Sequence, residues 1–152
     1  MIWDLISSST VFLYIITIGL YIYTKNTVHL TAFLGLAGTV TLTEFIKYTV
    51  VGYSNPRPRG AKNCNLWCND GIQSGRPGMP SSHASTVAFF TAYYALYSNN
   101  NMTVTVGLLI YAILVILSRY VKHCHTVEQL VIGSILGTMF GLLLYSFTAK
   151  KQ

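Results

Sequence analysis

Long runs of apolar residues alternate with short polar segments along this chain of 152 residues. The apolar runs cover residues 9–24, 28–51, 82–97, 102–121 and 126–148. They are continuous, without the period-two alternation of membrane-barrel strands, and several approach the roughly 20 residues that a helix needs to cross a bilayer. The pattern predicts an all-α, polytopic membrane helix bundle with about five transmembrane helices, formed by residues 1–152 as a single domain.

The polar links differ greatly in length. KNT and SNNN, which follow the first and third runs, are short and make the flanking helices antiparallel neighbours. Residues 52–80 form a long link rich in Pro, Gly, Asn and Arg. A loop of this length is more often functional than idle. We therefore expect it to take part in the chemistry of the protein.

Composition supports a membrane location. Only 9% of the residues are charged, whereas a soluble domain carries about 25%. The net charge of +6 does not indicate nucleic-acid binding, because basic residues beside membrane spans favour lipid head groups or an anionic substrate. The N-terminal MIWD lacks the positive region of a cleavable signal. We expect the first apolar run to remain as a span.

Three cysteines raise the question of cross-links and metals. Cys64 and Cys68 lie four residues apart in the long loop, and Cys124 directly precedes His125. In an oxidising compartment Cys64 and Cys68 are candidates for a disulfide bond. A zinc site needs more ligands than this spacing supplies. No carboxylate cluster is present to hold another metal, so we expect no metal and no cofactor.

Alternation of five spans across a bilayer brings distant polar segments to one face. The second and fourth spans end on the side where the third and fifth begin. Residues on that side are Lys47, the long loop, Ser81, Ser82, His83, Arg119, His123 and His125. The opposite side receives Lys25, the SNNN turn and the C-terminal lysines. The residues with chemical potential are thus predicted to converge.

Two cations on this face suit an anionic ligand. Lys47 lies late in an apolar run, where an ammonium is costly unless it snorkels or meets an anion. The ordinary alternative is a pair with Glu44 one turn earlier. Arg57 lies between two prolines that fix the backbone, and its planar fork matches phosphate oxygens. The ordinary alternative there is a stiff, exposed turn.

The segment GMPSSHASTVAFF, residues 78–90, opens the third span. Free N–H groups and the positive dipole end of a helix N-terminus favour an anion, and Ser81 and Ser82 add hydroxyl donors. His83 can exchange a proton near neutral pH. The ordinary alternative is a simple N-cap.

The segment SRYVKHCHTVEQ joins the fourth and fifth spans. Gln129 follows His125 by four residues and so shares its helix face. Its side-chain oxygen can accept a hydrogen bond from His125 Nδ1–H, which leaves Nε2 free as a nucleophile. Glu128 offers a similar contact with a full charge. The alternative is a pair of interfacial histidines with a basic flank.

Three motifs follow one another along the chain: Lys–Arg-Pro, Pro-Ser-x-His and Ser-Arg-x5-His. Their order resembles that of the type 2 phosphatidic acid phosphatase superfamily, membrane lipid phosphatases related to vanadium haloperoxidases. The resemblance covers residues 47–129 and implies a catalytic core there. It implies that His125 attacks phosphorus to form a phosphohistidine, while His83 protonates the leaving oxygen and later helps to activate water. The residues implied to hold phosphate are Lys47, Arg57, Ser81, Ser82 and Arg119.

Three departures from the family pattern bear on the substrate. Nine residues separate Lys47 from Arg57, more than the pattern has, so either the loop bulges or Lys47 is not the equivalent lysine. Ser82 replaces a glycine, and Gln129 replaces an aspartate. GMPSSH and HTxxQ resemble the dolichyl pyrophosphate phosphatase branch. That branch implies hydrolysis of a polyprenyl diphosphate to the monophosphate.

Other functions and both orientations are kept open. Within the class, the alternatives are phosphatases for phosphatidate, phosphatidylglycerophosphate or undecaprenyl diphosphate. Outside it, the alternative is a catalytically silent membrane protein that binds lipid phosphate. Lys25, Lys150 and Lys151 on the other side favour an active face away from the cytosol. We expect the endoplasmic reticulum with a lumenal site, or a bacterial inner membrane with a periplasmic one. The oligomeric state is not predicted.

Overall fold

Six α-helices make up most of the computed structural model, which describes residues 2–149. Their bounds are α1 Ile2–Ser8, α2 Val11–Thr24, α3 Thr27–Phe45, α4 Ser82–Tyr97, α5 Met102–Val121 and α6 Val127–Ala149. A π-helical segment, Ile46–Val51, and a 3₁₀ turn, Gly52–Ser54, continue α3. Within this part of the chain there is no β-strand, only two isolated bridges in the long loop. The all-α prediction is confirmed.

Four helical stretches in residues 2–149 are long and apolar enough to cross a membrane. They are Ile2–Thr24, Thr27–Ser54, Met102–Val121 and Val127–Thr148. The predicted third span exists as α4, but its 16 residues fall short of a typical span. The count of about five is therefore close. The first stretch begins earlier than predicted because it includes α1 as well as α2. A turn at Ser9 and Thr10 separates these two helices.

Helix α4 lies at the centre of the bundle. It packs against α3, α5 and α6, and most of its side chains are buried. Phe89 and Tyr93 are fully enclosed. By contrast, large apolar side chains on the outer helices, such as Phe12, Ile113 and Met139, are about half or more exposed. Such a broad apolar exterior is typical of helices surrounded by lipid.

The glycines of α6 allow it to approach α4 closely. A Cβ atom added at Gly133 would lie 2.6 Å from the Ser81 carbonyl oxygen, and one at Gly137 would collide with the Ser85 carbonyl. The Ser85 hydroxyl donates a hydrogen bond to the Gly133 carbonyl at 2.7 Å. Small residues that bring helix backbones together are a common packing device in membranes. The glycine face of α6 therefore packs tightly against α4 within the bundle.

The long loop folds over the end of the bundle where α3 ends and α6 begins. A disulfide joins Cys64 to Cys124, with the two Cα atoms 5.5 Å apart, and Cys68 is a free thiol. The candidate Cys64–Cys68 bond is wrong. A turn in which Cys68 N donates to Asn65 O separates those two residues, whereas folding of the loop brings Cys64 against the α5–α6 turn.

Replacing Gly137 with leucine should disrupt the bundle. Its Cβ meets backbone atoms of Ser85, which cannot rotate away, so overpacking should lower the free energy of unfolding by about 1–3 kcal/mol. Gly107→Leu is the matched control, because a Cβ there meets nothing within 4 Å. Unfolding midpoints in detergent micelles measure both. Equal midpoints for the two variants would contradict the packing role of Gly137.

Candidate active site

A cavity of about 420 Å³ opens where α3 ends and α4 begins. Of the predicted site residues, five line it: Lys47, Arg57, Ser82, His83 and His125. The remaining three do not line it: Ser81, Arg119 and Gln129. The structure therefore brings residues from α3, the loop, α4 and the α5–α6 turn to one cavity.

His125 lies in the turn before α6, with only 2% of its surface exposed. Its Nε2 lies 3.1 Å from Arg57 Nη1. A guanidinium can only donate, so Nε2 accepts and carries the lone pair. Nδ1 then carries the proton and donates it to Gln129 Oε1 at 3.1 Å. This is the tautomer expected from the four-residue spacing of His125 and Gln129.

The other end of the Gln129 amide holds the loop in front of Arg57. Gln129 Nε2 donates to Asn55 Oδ1 at 2.6 Å and to the Pro56 carbonyl at 2.9 Å. A carboxylate at this position would have no donor for those oxygens. One buried amide thus orients His125 and also fixes the backbone that presents Arg57. Both contacts require the amide of a glutamine, since a carboxylate could form only the one with His125.

Arg57 is held at the cavity by contacts on both its backbone and its side chain. Its N–H donates to the Arg76 carbonyl at 2.7 Å, and the Gly75 N–H donates to the Arg57 carbonyl at 3.2 Å. Nη1 also donates to the Cys124 carbonyl at 3.1 Å. The ordinary alternative of a free, exposed turn is therefore not what forms.

Lys47 forms the ordinary pair with Glu44 and is also placed at the cavity. It is 2% exposed. Its Nζ donates to Ser82 Oγ at 3.0 Å, and Ser82 Oγ in turn donates to Glu44 Oε1. Between Lys47 and Arg57 the chain forms the rest of the π-helical segment and a 3₁₀ turn, and both side chains line the cavity. The sequence offered no sign that Ser82 would join this contact.

Arg119 is fully buried behind the cavity. Its guanidinium donates to Ser7 Oγ and to the Cys64 carbonyl, and its Nε has no partner in the described part of the chain. Ser7 was not foreseen as a neighbour of Arg119, although the alternation of spans places the start of the first span on the same face.

Ser81 caps α4, with its Oγ accepting from Ala84 N at 3.5 Å. The simple N-cap is thus present as well.

His83 lies in the first turn of α4 and lines the same cavity as His125. Its Nε2 is buried and has no hydrogen-bond partner among residues 2–149. A buried polar atom without a partner is costly. This nitrogen is therefore available to a ligand that enters the cavity.

The surroundings of His125 keep its imidazole neutral. Burial lowers the pKa of His125 well below 6.5, and the positive charges of Arg57, Arg119 and Lys47 act in the same direction. The hydrogen bond with Gln129 opposes them. At neutral pH the ring is uncharged, so Nε2 keeps the lone pair that accepts the hydrogen bond from Arg57.

Gln129→Glu should raise the pKa of His125, because a carboxylate beside Nδ1 stabilises the imidazolium. The same change removes the donor to Asn55 and Pro56. NMR titration of labelled histidine in micelles should give a midpoint below 6.5 for the wild type and a higher one for the variant. Glu128→Gln, which changes charge at the next position without touching Nδ1, is the control. Unchanged midpoints in Gln129→Glu would contradict the assigned tautomer.

Comparisons with known proteins point to one family. Residues 27–152 match the PAP2 superfamily. Over 77 residues, 46% of this chain, the sequence is 34% identical to lipid phosphate phosphatase epsilon 1, chloroplastic, of Arabidopsis thaliana, and that match spans 28% of the relative. No solved structure matches the chain. Because the family match covers most of the sequence and every predicted site residue, the protein belongs to the PAP2 superfamily.

Proposed function

We propose that this protein is a single-domain integral membrane phosphatase that hydrolyses a polyprenyl, dolichyl-type diphosphate to the monophosphate and phosphate. The observation that carries the proposal is the His125 lone pair, which faces Arg57 at 3.1 Å in a cavity also lined by Lys47, Ser82 and His83. A neutral nucleophile beside several cations is suited to an anionic phosphorus centre.

Binding begins with an exchange of partners. In the free protein, Arg57 Nη1 donates a hydrogen bond to His125 Nε2. An incoming phosphoryl oxygen replaces His125 as the acceptor of that bond. Lys47 and Ser82 turn from Glu44 towards the other oxygens, and the buried charge of Arg119 adds to the positive field. Phosphoryl transfer depends mainly on positioning and charge neutralisation. These residues supply both.

The reaction then proceeds in two steps. His125 Nε2 attacks the terminal phosphorus, the bond from phosphorus to the bridging oxygen breaks, and His83 gives that oxygen a proton. The negative charge of the bound substrate favours the protonated form of His83. Water then attacks the phosphohistidine as His83 takes its proton, which releases phosphate and restores His125.

The choice of lipid rests on two kinds of support. Ser82 and Gln129 are the marks of the dolichyl branch, and the structure gives each a defined contact, Ser82 with Lys47 and Gln129 with His125. The Arabidopsis relative is named a lipid phosphate phosphatase. Undecaprenyl diphosphate, phosphatidate and phosphatidylglycerophosphate are the alternative substrates.

We further propose that the active face lies in an oxidising compartment, the lumen of the endoplasmic reticulum or a bacterial periplasm. The disulfide between Cys64 and Cys124 lies beside the site, and disulfides persist in such compartments. Lys25 lies at the other end of the bundle, between α2 and α3, in accordance with the positive-inside rule.

His125→Ala should abolish phosphate release, by at least about a thousandfold, because the covalent step is lost. His123→Ala, at an exposed position two residues away, should retain activity. Phosphate release by purified protein is measured with dolichyl diphosphate, undecaprenyl diphosphate and phosphatidate in parallel. Turnover by His125→Ala would contradict the nucleophile. Absence of turnover of any lipid by the wild type would favour a silent binder.

EDTA should leave the activity unchanged. Within residues 2–149 no group of three or more His, Cys, Asp or Glu side chains could hold a metal ion, and the proposed steps use cationic side chains instead. Rates are compared before and after dialysis against EDTA, with added Mg²⁺ as a control. A loss of activity that Mg²⁺ restores would overturn the proposed mechanism.

A further inference from the structure

Arg76 is a cation at the cavity to which the proposed reaction assigns no role. Its side chain lines the same cavity as Arg57 and Lys47, but residue 76 is exposed whereas Lys47 is buried. Lys47 is paired with Glu44, and Arg57 with His125 and Cys124. The Arg76 guanidinium forms no hydrogen bond or ion pair with another described residue. It is therefore a cation at the cavity mouth that is free to bind a ligand.

The loop backbone holds Arg76 beside Arg57. Pro56 and Pro77 form an antiparallel bridge, and the Arg57 N–H donates to the Arg76 carbonyl at 2.7 Å. The bridge and this hydrogen bond hold Arg57 and Arg76 next to each other in the loop, although the Arg57 carbonyl accepts from Gly75 N rather than from Arg76 N. Their shared lining of the cavity agrees with that geometry.

The two guanidinium groups also affect each other electrostatically. Burial lowers the pKa of Arg57, and the positive charge of Arg76 acts in the same direction. Like charges held close together are relieved by an anion that bridges them. Asp70 also lines the cavity, but its Oδ1 already accepts from Cys64 N at 2.6 Å. The pair of arginines therefore favours an extended anion with charge at both ends.

We infer that Arg76 forms a second phosphate subsite that selects diphosphate lipids over monophosphate lipids. The terminal phosphate lies between His125 and Arg57, and the lipid-side phosphate lies outward against Arg76. When the bond to the bridging oxygen breaks, the departing lipid monophosphate still carries the negative charge of its other oxygens next to Arg76. A monophosphate lipid has no charged group at this position. The inference rests on the proposed phosphatase function.

Matched substrates test this subsite. Arg76→Gln should lower kcat/KM for farnesyl diphosphate by roughly tenfold or more, the usual effect of losing a charge-assisted hydrogen bond. With farnesyl monophosphate the change should be less than about twofold, because that substrate does not reach residue 76. Arg76→Lys should restore part of the diphosphate activity. Arg59→Gln, which removes an exposed loop arginine that does not line the cavity, should leave both rates unchanged.

The outcomes separate the subsite from the function. An equal loss on both farnesyl substrates would overturn the subsite while the phosphatase function stands. If the wild type hydrolyses no lipid, the proposed function fails, and calorimetric binding of inorganic diphosphate and inorganic phosphate then decides on the subsite. The wild type should prefer diphosphate, and Arg76→Gln should lose that preference. Equal affinity of the wild type for both anions would overturn the inference.

Discussion

The buried side-chain amide of Gln129 is the contact on which the candidate site depends. Its oxygen accepts from His125 Nδ1, and its nitrogen donates to Asn55 and Pro56. His125, the proposed nucleophile, and the loop that presents Arg57 are therefore positioned by one group with no exposed surface. Because an amide both donates and accepts, neither segment can shift without breaking a buried hydrogen bond, which is costly. A carboxylate would hold the histidine and release the loop.

Close packing of α4 and α6 places that amide where it is needed. The glycine face of α6 lies against the backbone of α4, and Ser81 N donates to the Gln129 carbonyl at 3.1 Å. The start of α4, with Ser82 and His83, is thereby fixed relative to the start of α6, with His125. Gly78 contributes from the loop, since a Cβ there would collide with the Gln129 side chain at 2.6 Å. The packing of α4 against α6 thus also determines the geometry of the site.

Local patterns predicted the parts of the structure that depend on local spacing. The apolar runs became helices, and four-residue spacing placed Gln129 on His125. Alternation of spans predicted the shared face, because it requires only a count of crossings. Contacts between segments that are distant in the sequence could not be predicted from spacing. Cys64 pairs with Cys124 rather than with its near neighbour, and Arg119 binds Ser7 from the first helix. These depend on how the long loop folds, which spacing alone does not specify.

Buried cations at this site are tolerated because each has an internal acceptor in the absence of substrate. Lys47 has Glu44, Arg57 has the lone pair of His125 and the Cys124 carbonyl, and Arg119 has Ser7 and Cys64. An unpaired buried charge would destabilise the fold. A phosphate that enters must therefore replace contacts already made. Only the difference in free energy between the new contacts and the old ones contributes to binding. The contact between Arg57 and His125 is the most consequential of these for the proposed mechanism, because the exchange that engages the phosphate also frees the lone pair of His125. Under that mechanism, His125 becomes reactive only when an anion has taken its place on Arg57.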